Sequence, residues 1–134
     1  MELLGLDHLV LTVGSIDRST AFYGGVLGLR VVRRDDRAAL HAGHQMINLH
    51  QVDHSVDPRA AAPTPGAGDL CLVSAEPIDA VLDDLRRAGV TVVAGPVARD
   101  GALGAMTSVY VRDPDGNLVE IAHYPGEPGT RVPN

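Results

Sequence analysis

The sequence predicts an α+β fold made of two βαβββ modules, and three observations predict it. In the first half an apolar run of strand length is followed by a helical segment closed by glycine and by three short strands. The second half repeats that order. Between them, Asp53 to Gly68 holds three prolines, two glycines and four alanines and reads as a linker.

The elements follow in turn. His8 to Val13 is the first strand, and Ser15 and Asp17 offer cap chemistry for a helix over about Ile16 to Leu27. Gly28 stands where a left-handed residue ends such a helix. Leu29 to Arg33, Ala38 to Ala42 and Met46 to Val52 complete module one, about residues 5–53. After a linker over about 54–68, module two spans about 69–124 and opens with Leu70 to Val73. Ile78, Val81, Leu82, Leu85 and Ala88 fall at helical spacing behind Pro77, and Gly89 closes the helix as Gly28 closes the first. Val90 to Ala94, Thr107 to Val111 and Leu118 to Tyr124 read as strands, with Asp113-Pro114-Asp115-Gly116 as the turn between the last two. The tail, 125–134, has three prolines and two glycines and reads as irregular. The whole, 1–134, is expected to be a single domain.

Composition bounds the function. A chain of 134 residues, 45% apolar and 21% charged, can bury a core without staples. The single cysteine, Cys71, excludes an intramolecular disulfide and fits a reducing compartment. The start of the chain has neither the basic region nor the apolar run of a signal peptide, and nothing reaches membrane-spanning length, so a cytoplasmic protein is expected. The net charge of −6, with all 11 basic residues arginine, leaves no footprint for nucleic acid. Without lysine there is no Schiff-base chemistry.

Strand alternation sorts the side chains by face. Leu9, Leu11 and Val13 form the helix-facing set of the first strand, leaving His8, Val10 and Thr12 opposite. Asn48 and His50 leave the helix-facing set Ile47 and Leu49 in the same way, as do Asp69 and Cys71, and Glu120. If each module bends into half a cup, His8, His50, Asp69 and Glu120 converge inside it with Asn48 close by. Two imidazoles and a carboxylate suit a divalent first-row metal. Each residue taken alone has an ordinary alternative: a strand-end histidine is most often a surface residue, and Asp69 could simply end the linker. His41, His44, His54 and His123 read as exposed.

Three segments carry a resemblance: Leu6-Asp7-His8-Leu9-Val10-Leu11-Thr12-Val13, Ala21-Phe22-Tyr23 with Leu27-Gly28-Leu29, and Tyr110-Val111-Arg112-Asp113-Pro114-Asp115-Gly116-Asn117-Leu118-Val119-Glu120-Ile121. Together they resemble the vicinal oxygen chelate superfamily, which includes glyoxalase I, extradiol dioxygenases, methylmalonyl-CoA epimerase and fosfomycin- and bleomycin-resistance proteins. Ile47-Asn48-Leu49-His50-Gln51 and Gly95-Pro96-Val97-Ala98-Arg99 look most like the group around glyoxalase-domain-containing protein 5 and its bacterial virulence-associated relatives. The resemblance implies paired βαβββ modules whose curved sheets enclose a divalent metal (Fe, Mn, Ni, Co or Zn), commonly in a homodimer. It places His8 and Glu120 on the first and last ligand positions. The other two positions depart from the pattern, with Asn48 where Glu or Gln is usual and Asp69 where His is usual; His50, on the face of Asn48, is the candidate substitute ligand, with Asn48 and Asp69 as the alternatives that would complete the site.

A divalent-metal enzyme of glyoxalase or dioxygenase type is therefore expected, acting as lyase, isomerase or oxygenase on a small substrate with vicinal oxygens. Asp69 is the candidate base, and Tyr110 a hydrogen-bond donor. Arg99, beside the glycine-rich run Gly101 to Gly104 read as a mobile lid, and Thr12 are the candidate substrate contacts. The alternative is a ligand-sequestering protein of bleomycin-resistance type. Such relatives generally lack the metal ligands, and the presence of His8 and Glu120 favours the enzyme.

Overall fold

The computed structural model describes residues 1–54 and 56–126, so most of the proline-rich tail lies outside the described residues. Two four-stranded mixed sheets are present, in the orders β1-β4-β3-β2 and β5-β8-β7-β6. The chain divides into two compact units, Met1–Gly68 with Asp113–Asn117, and Asp69–Arg112 with Leu118–Asn134.

In the first unit β1 (His8–Val13) runs parallel to β4 (Gln45–Gln51), which pairs antiparallel with β3 (Arg37–Ala42), and β3 with β2 (Arg30–Arg34). Helix α1 (Ile16–Thr20) starts at Ser15, whose hydroxyl accepts the Arg18 N–H at 3.2 Å. It widens into a π-helical stretch, Ala21–Val26, in which the Leu27 N–H reaches the Phe22 carbonyl at 3.0 Å. The expected single α-helix is thus two geometries end to end. Its apolar side, Ile16, Phe22 and Tyr23, is buried, as are Leu11, Val13, Ala38, Leu40, Ile47 and Leu49 from the sheet. Gln51 ties the helix entrance to β4, donating to the Gly14 carbonyl at 2.6 Å and accepting the Ile16 N–H at 3.0 Å.

In the second unit β5 (Asp69–Val73) runs parallel to β8 (Leu118–His123), followed by β7 (Gly104–Arg112) and, at the edge, β6 (Ala94–Gly101). Helix α2 (Ile78–Arg87) buries Ile78, Val81 and Leu85. One expectation is corrected here. The strand expected over Val90 to Ala94 begins only at Ala94 and continues through Gly95-Pro96, which reads as a strand breaker but is tolerated because β6 is an edge strand. Gly101 and Gly104, the ends of the run read as a mobile lid, pair as the closing rung of the β6–β7 hairpin, and the Leu103 N–H is held by the Tyr124 hydroxyl at 3.2 Å.

Both helices end as the glycine spacing predicts, with Gly28 at φ 77° and Gly89 at φ 71°. A Cβ added at either site meets nothing within 4 Å, so the penalty of a side chain there is conformational alone. Gly28→Ala and Gly89→Ala should each lower stability by about 1 kcal/mol, measured by urea unfolding.

Candidate functional site

The strand register arranges the open face of the first sheet into three rows. Arg34, Arg37, His50 and Thr12 lie side by side; next come Val32, Ala39, Asn48 and Val10; then Arg30, His41, Met46 and His8. The opposite face carries the buried residues and the one arginine paired there, Arg33, with Asp17 of α1 at 2.5 Å. His8 is half-exposed, and its Nδ1 donates to the Asp7 carboxylate at 2.7 Å. That bond fixes the tautomer and leaves Nε2 as a free donor atom for a metal, the arrangement that commonly orients ligating imidazoles.

His50 does not share that position. It sits beside Thr12, two rows from His8, a separation of ~13 Å along the strands at the usual rise per residue. That is too far for both imidazoles to hold one ion, and it corrects the expectation that His50 joins His8 as a ligand. Alternation along the strands puts both residues on one face, as observed, but does not fix the register that sets them apart. Asn48, in the middle row, is the polar side chain on β4 nearer to His8. Thr12 and His50 instead line a cavity of about 470 Å³ closed by linker residues including Pro58, Arg59 and Pro63.

The open face of the second sheet is built the same way, with Cys71, Glu120, Tyr110 and Ala94 in one row and Asp69, Leu118 and Arg112 in the next. Glu120 holds the feature that matters most. Its Oε1 is buried and has no hydrogen-bond partner among the described residues. Beside it, burial and then the charge of Glu120 push the Cys71 thiol up to about 11, so the sulfur stays protonated at neutral pH. Tyr110 accepts the Arg99 Nε–H at 2.9 Å, and Arg99 also lies over its ring, 5.6 Å from the centroid. Arg99, expected as a substrate clamp, spends its Nε and one terminal nitrogen on Tyr110 and the Ala98 carbonyl. Tyr110 is left free to donate its own proton. Asp69 is exposed at the start of β5, one row from Glu120.

Among the described residues no three His, Cys, Asp or Glu side chains gather into a ligand cluster. The donors themselves fit a divalent ion in kind: an imidazole with its second nitrogen already held, and a buried carboxylate oxygen with nothing to satisfy it.

One constellation went unseen in the sequence. The Asp113 carboxylate accepts from the Tyr23 hydroxyl and the Asn117 amide, each at 2.7 Å, and from the N–H groups of Asp115 and Asn117, each at 2.9 Å. Asn117 in turn accepts the Gly68 N–H at 2.7 Å, and Asp115 that of Gly14 at 3.0 Å. The Asp-Pro-Asp-Gly turn is therefore a structural knot within the first unit. Its signal in the sequence was the turn motif, which says nothing about Tyr23.

Paired βαβββ units, with His8 on the first strand and Glu120 on the last, point to one superfamily. The chain belongs to the Glyoxalase/Bleomycin resistance protein/Dioxygenase superfamily, whose family model matches residues 5–121. It is 48% identical over 120 residues, 89% of this chain and 83% of the relative, to the virulence protein STM3117 of Salmonella typhimurium. The crystal structure of that protein superposes with a TM-score of 0.89 at 47% identity, covering 92% of this chain and 99% of that one. The glyoxalase domain-containing protein RDO1 of Mycosarcoma maydis is 44% identical over 125 residues, 92% of this chain and 70% of that protein. A lactoylglutathione lyase structure from Agrobacterium tumefaciens shares the fold at 23% identity, with a TM-score of 0.71 and coverage of 91% and 95%.

Proposed function

We propose that this protein is a divalent-metal-dependent enzyme of glyoxalase or dioxygenase type acting on a small substrate with vicinal oxygens. The observation that carries the reading is Glu120: a carboxylate oxygen buried without a partner costs about 1–3 kcal/mol, a cost that a bound cation removes. His8 and Glu120 are the proposed ligands, and superfamily membership supports them.

A bound divalent ion supplies Lewis acidity that orients two substrate oxygens and stabilises negative charge on them. The protein side chains do the rest. Asp69, exposed one row from Glu120, takes a proton from the carbon next to a carbonyl. Tyr110, its oxygen held by Arg99, donates a hydrogen bond to the oxygen that gains charge. Thr12 contacts substrate from the cavity at the end of β1.

Two further proposals accompany this one. Leu3, Leu4 and Leu6 at the start of the chain are 84%, 93% and 75% exposed, an apolar surface that a second copy of the chain would cover, so a homodimer is expected. No helix among the described residues is long and apolar enough to cross a membrane, and together with the lone cysteine this supports a cytoplasmic site of action.

The test is metal analysis of the purified protein after reconstitution, alongside His8→Ala, followed by two assays on the loaded protein: oxygen uptake with catechols and isomerisation of hemithioacetals. Stoichiometric metal that is lost in His8→Ala, with turnover in either assay, supports the enzyme. No binding above trace in the wild type sinks it and leaves the ligand-sequestering alternative.

A further inference from the structure

We propose that the open face of the first sheet is an oxyanion subsite, in which Arg34, Arg37 and His50 hold the carboxylate or phosphate head of an elongated small molecule.

The three rows of that face carry Arg30, Arg34, Arg37, His8, His41 and His50, and no carboxylate. The other face balances its one arginine with Asp17, whereas neither Arg34 nor Arg37 has an ion-pair or hydrogen-bonded side-chain partner among the described residues. The register sets these two arginines directly opposite each other, a cross-strand arrangement of like charges that costs stability unless something anionic lies between them. Asp35 and Asp36, in the turn joining the two strands, are the nearest carboxylates along the chain, and neither is paired with Arg34 or Arg37. His50 lies opposite Arg37 on its other side.

The second observation is room. A cavity of about 410 Å³ is lined by Arg34, Arg37, His41 and His50 around an apolar floor of Val32 and Ala39. Two planar guanidinium forks facing one opening suit bidentate capture of an oxyanion. Burial first, and then the charge of Arg37, hold His50 below the ordinary imidazole range, a direction that an anion docked beside it reverses.

The row of Arg34, Arg37 and His50 lies ~13 Å along the strands from His8. If His8 ligates the metal, as proposed above, the substrate carries its anionic head at one end and its vicinal oxygens at the other. This last step rests on the metal reading, but the subsite itself does not.

The experiment is a titration of EDTA-treated protein with inorganic phosphate and, separately, with succinate at low ionic strength, followed by histidine resonances in NMR. Saturable binding of at least one probe is expected, with the His50 pKa rising. Arg34→Gln and Arg37→Gln should each weaken it about tenfold or more, the scale of one charge-assisted hydrogen bond. Arg33→Gln, on the opposite face, should leave it unchanged. Binding of phosphate alone assigns a phosphoryl head, and of succinate alone a carboxylate. Absence of saturable binding, or binding indifferent to both Arg34 and Arg37, overturns the proposal. Because the protein is metal-free throughout, loss of the metal reading leaves this result standing, and the reverse holds too.

Discussion

Glu120→Gln is expected to strip the protein of divalent metal while leaving its metal-free fold within about 1 kcal/mol of the wild type. The Glu120 Oε1 is buried and unpartnered among the described residues, in a strand where Val119 and Ile121 on either side are core residues. An amide fills the same volume but carries no charge and binds a divalent ion weakly. Loss of groups that merely orient a metal ligand costs 10–100-fold in affinity, so removing the donor itself should cost at least ~100-fold. A structural role for Glu120 predicts the opposite pattern, destabilisation of the metal-free protein at unchanged occupancy. Metal content by mass spectrometry and the melting temperature after chelation separate the two. A third readout needs no metal. Burial is the first cause of the raised Cys71 thiol and the Glu120 charge the next, so Glu120→Gln should lower that pKa and speed alkylation of the thiol near neutral pH. Full occupancy in the variant would falsify the ligand assignment.

How much of this was legible in the sequence follows from the range of each interaction. Alternation along β1, β4 and β8 is local, and it put Leu11, Val13, Ile47, Leu49, Val119 and Ile121 in the core and Thr12, His50 and Glu120 on the other face, as observed. Helix ends were legible because Gly28 and Gly89 take a backbone conformation other residues avoid. The register was not. Periodicity fixes which face a residue occupies but not which residue of the next strand lies beside it, and a shift of two positions leaves the pattern unchanged. That is why His50 was grouped with His8, although the pairing sets it beside Thr12 and Arg37. The arginines of the open face escaped notice for the same reason: Arg34 and Arg37 become a pair only once β2 and β3 are joined. The β6 boundary failed differently, because Gly95-Pro96 is a breaker inside a sheet but not at its edge.

Asp113→Ala should be the most damaging single change in the first unit, lowering stability by roughly 3–5 kcal/mol. The carboxylate is 5% exposed and accepts four hydrogen bonds, so its removal leaves the Tyr23 hydroxyl, the Asn117 amide and two backbone N–H groups without their acceptor at once. Tyr23 is fully buried and its one hydroxyl partner among the described residues is Asp113, so Tyr23→Phe removes a single bond and should cost about 1–2 kcal/mol. In the double variant the two losses should not add, because the orphaned hydroxyl that makes Asp113→Ala so costly is absent. The pair also sets an alkaline limit. Burial, and then the hydrogen bond to Asp113, raise the Tyr23 phenol well above its ordinary value. The stability this contributes is fully present below the unfolded phenol's pKa of about 10 and is lost as pH climbs beyond it, by about 1.4 kcal/mol per pH unit while the folded phenol stays neutral. Unfolding in urea at pH 8 and at pH 11 should therefore show the wild type losing more stability than Tyr23→Phe over that interval. Equal losses would mean that Tyr23 ionises as readily folded as unfolded, and that the hydroxyl is not locked between the helix and the turn.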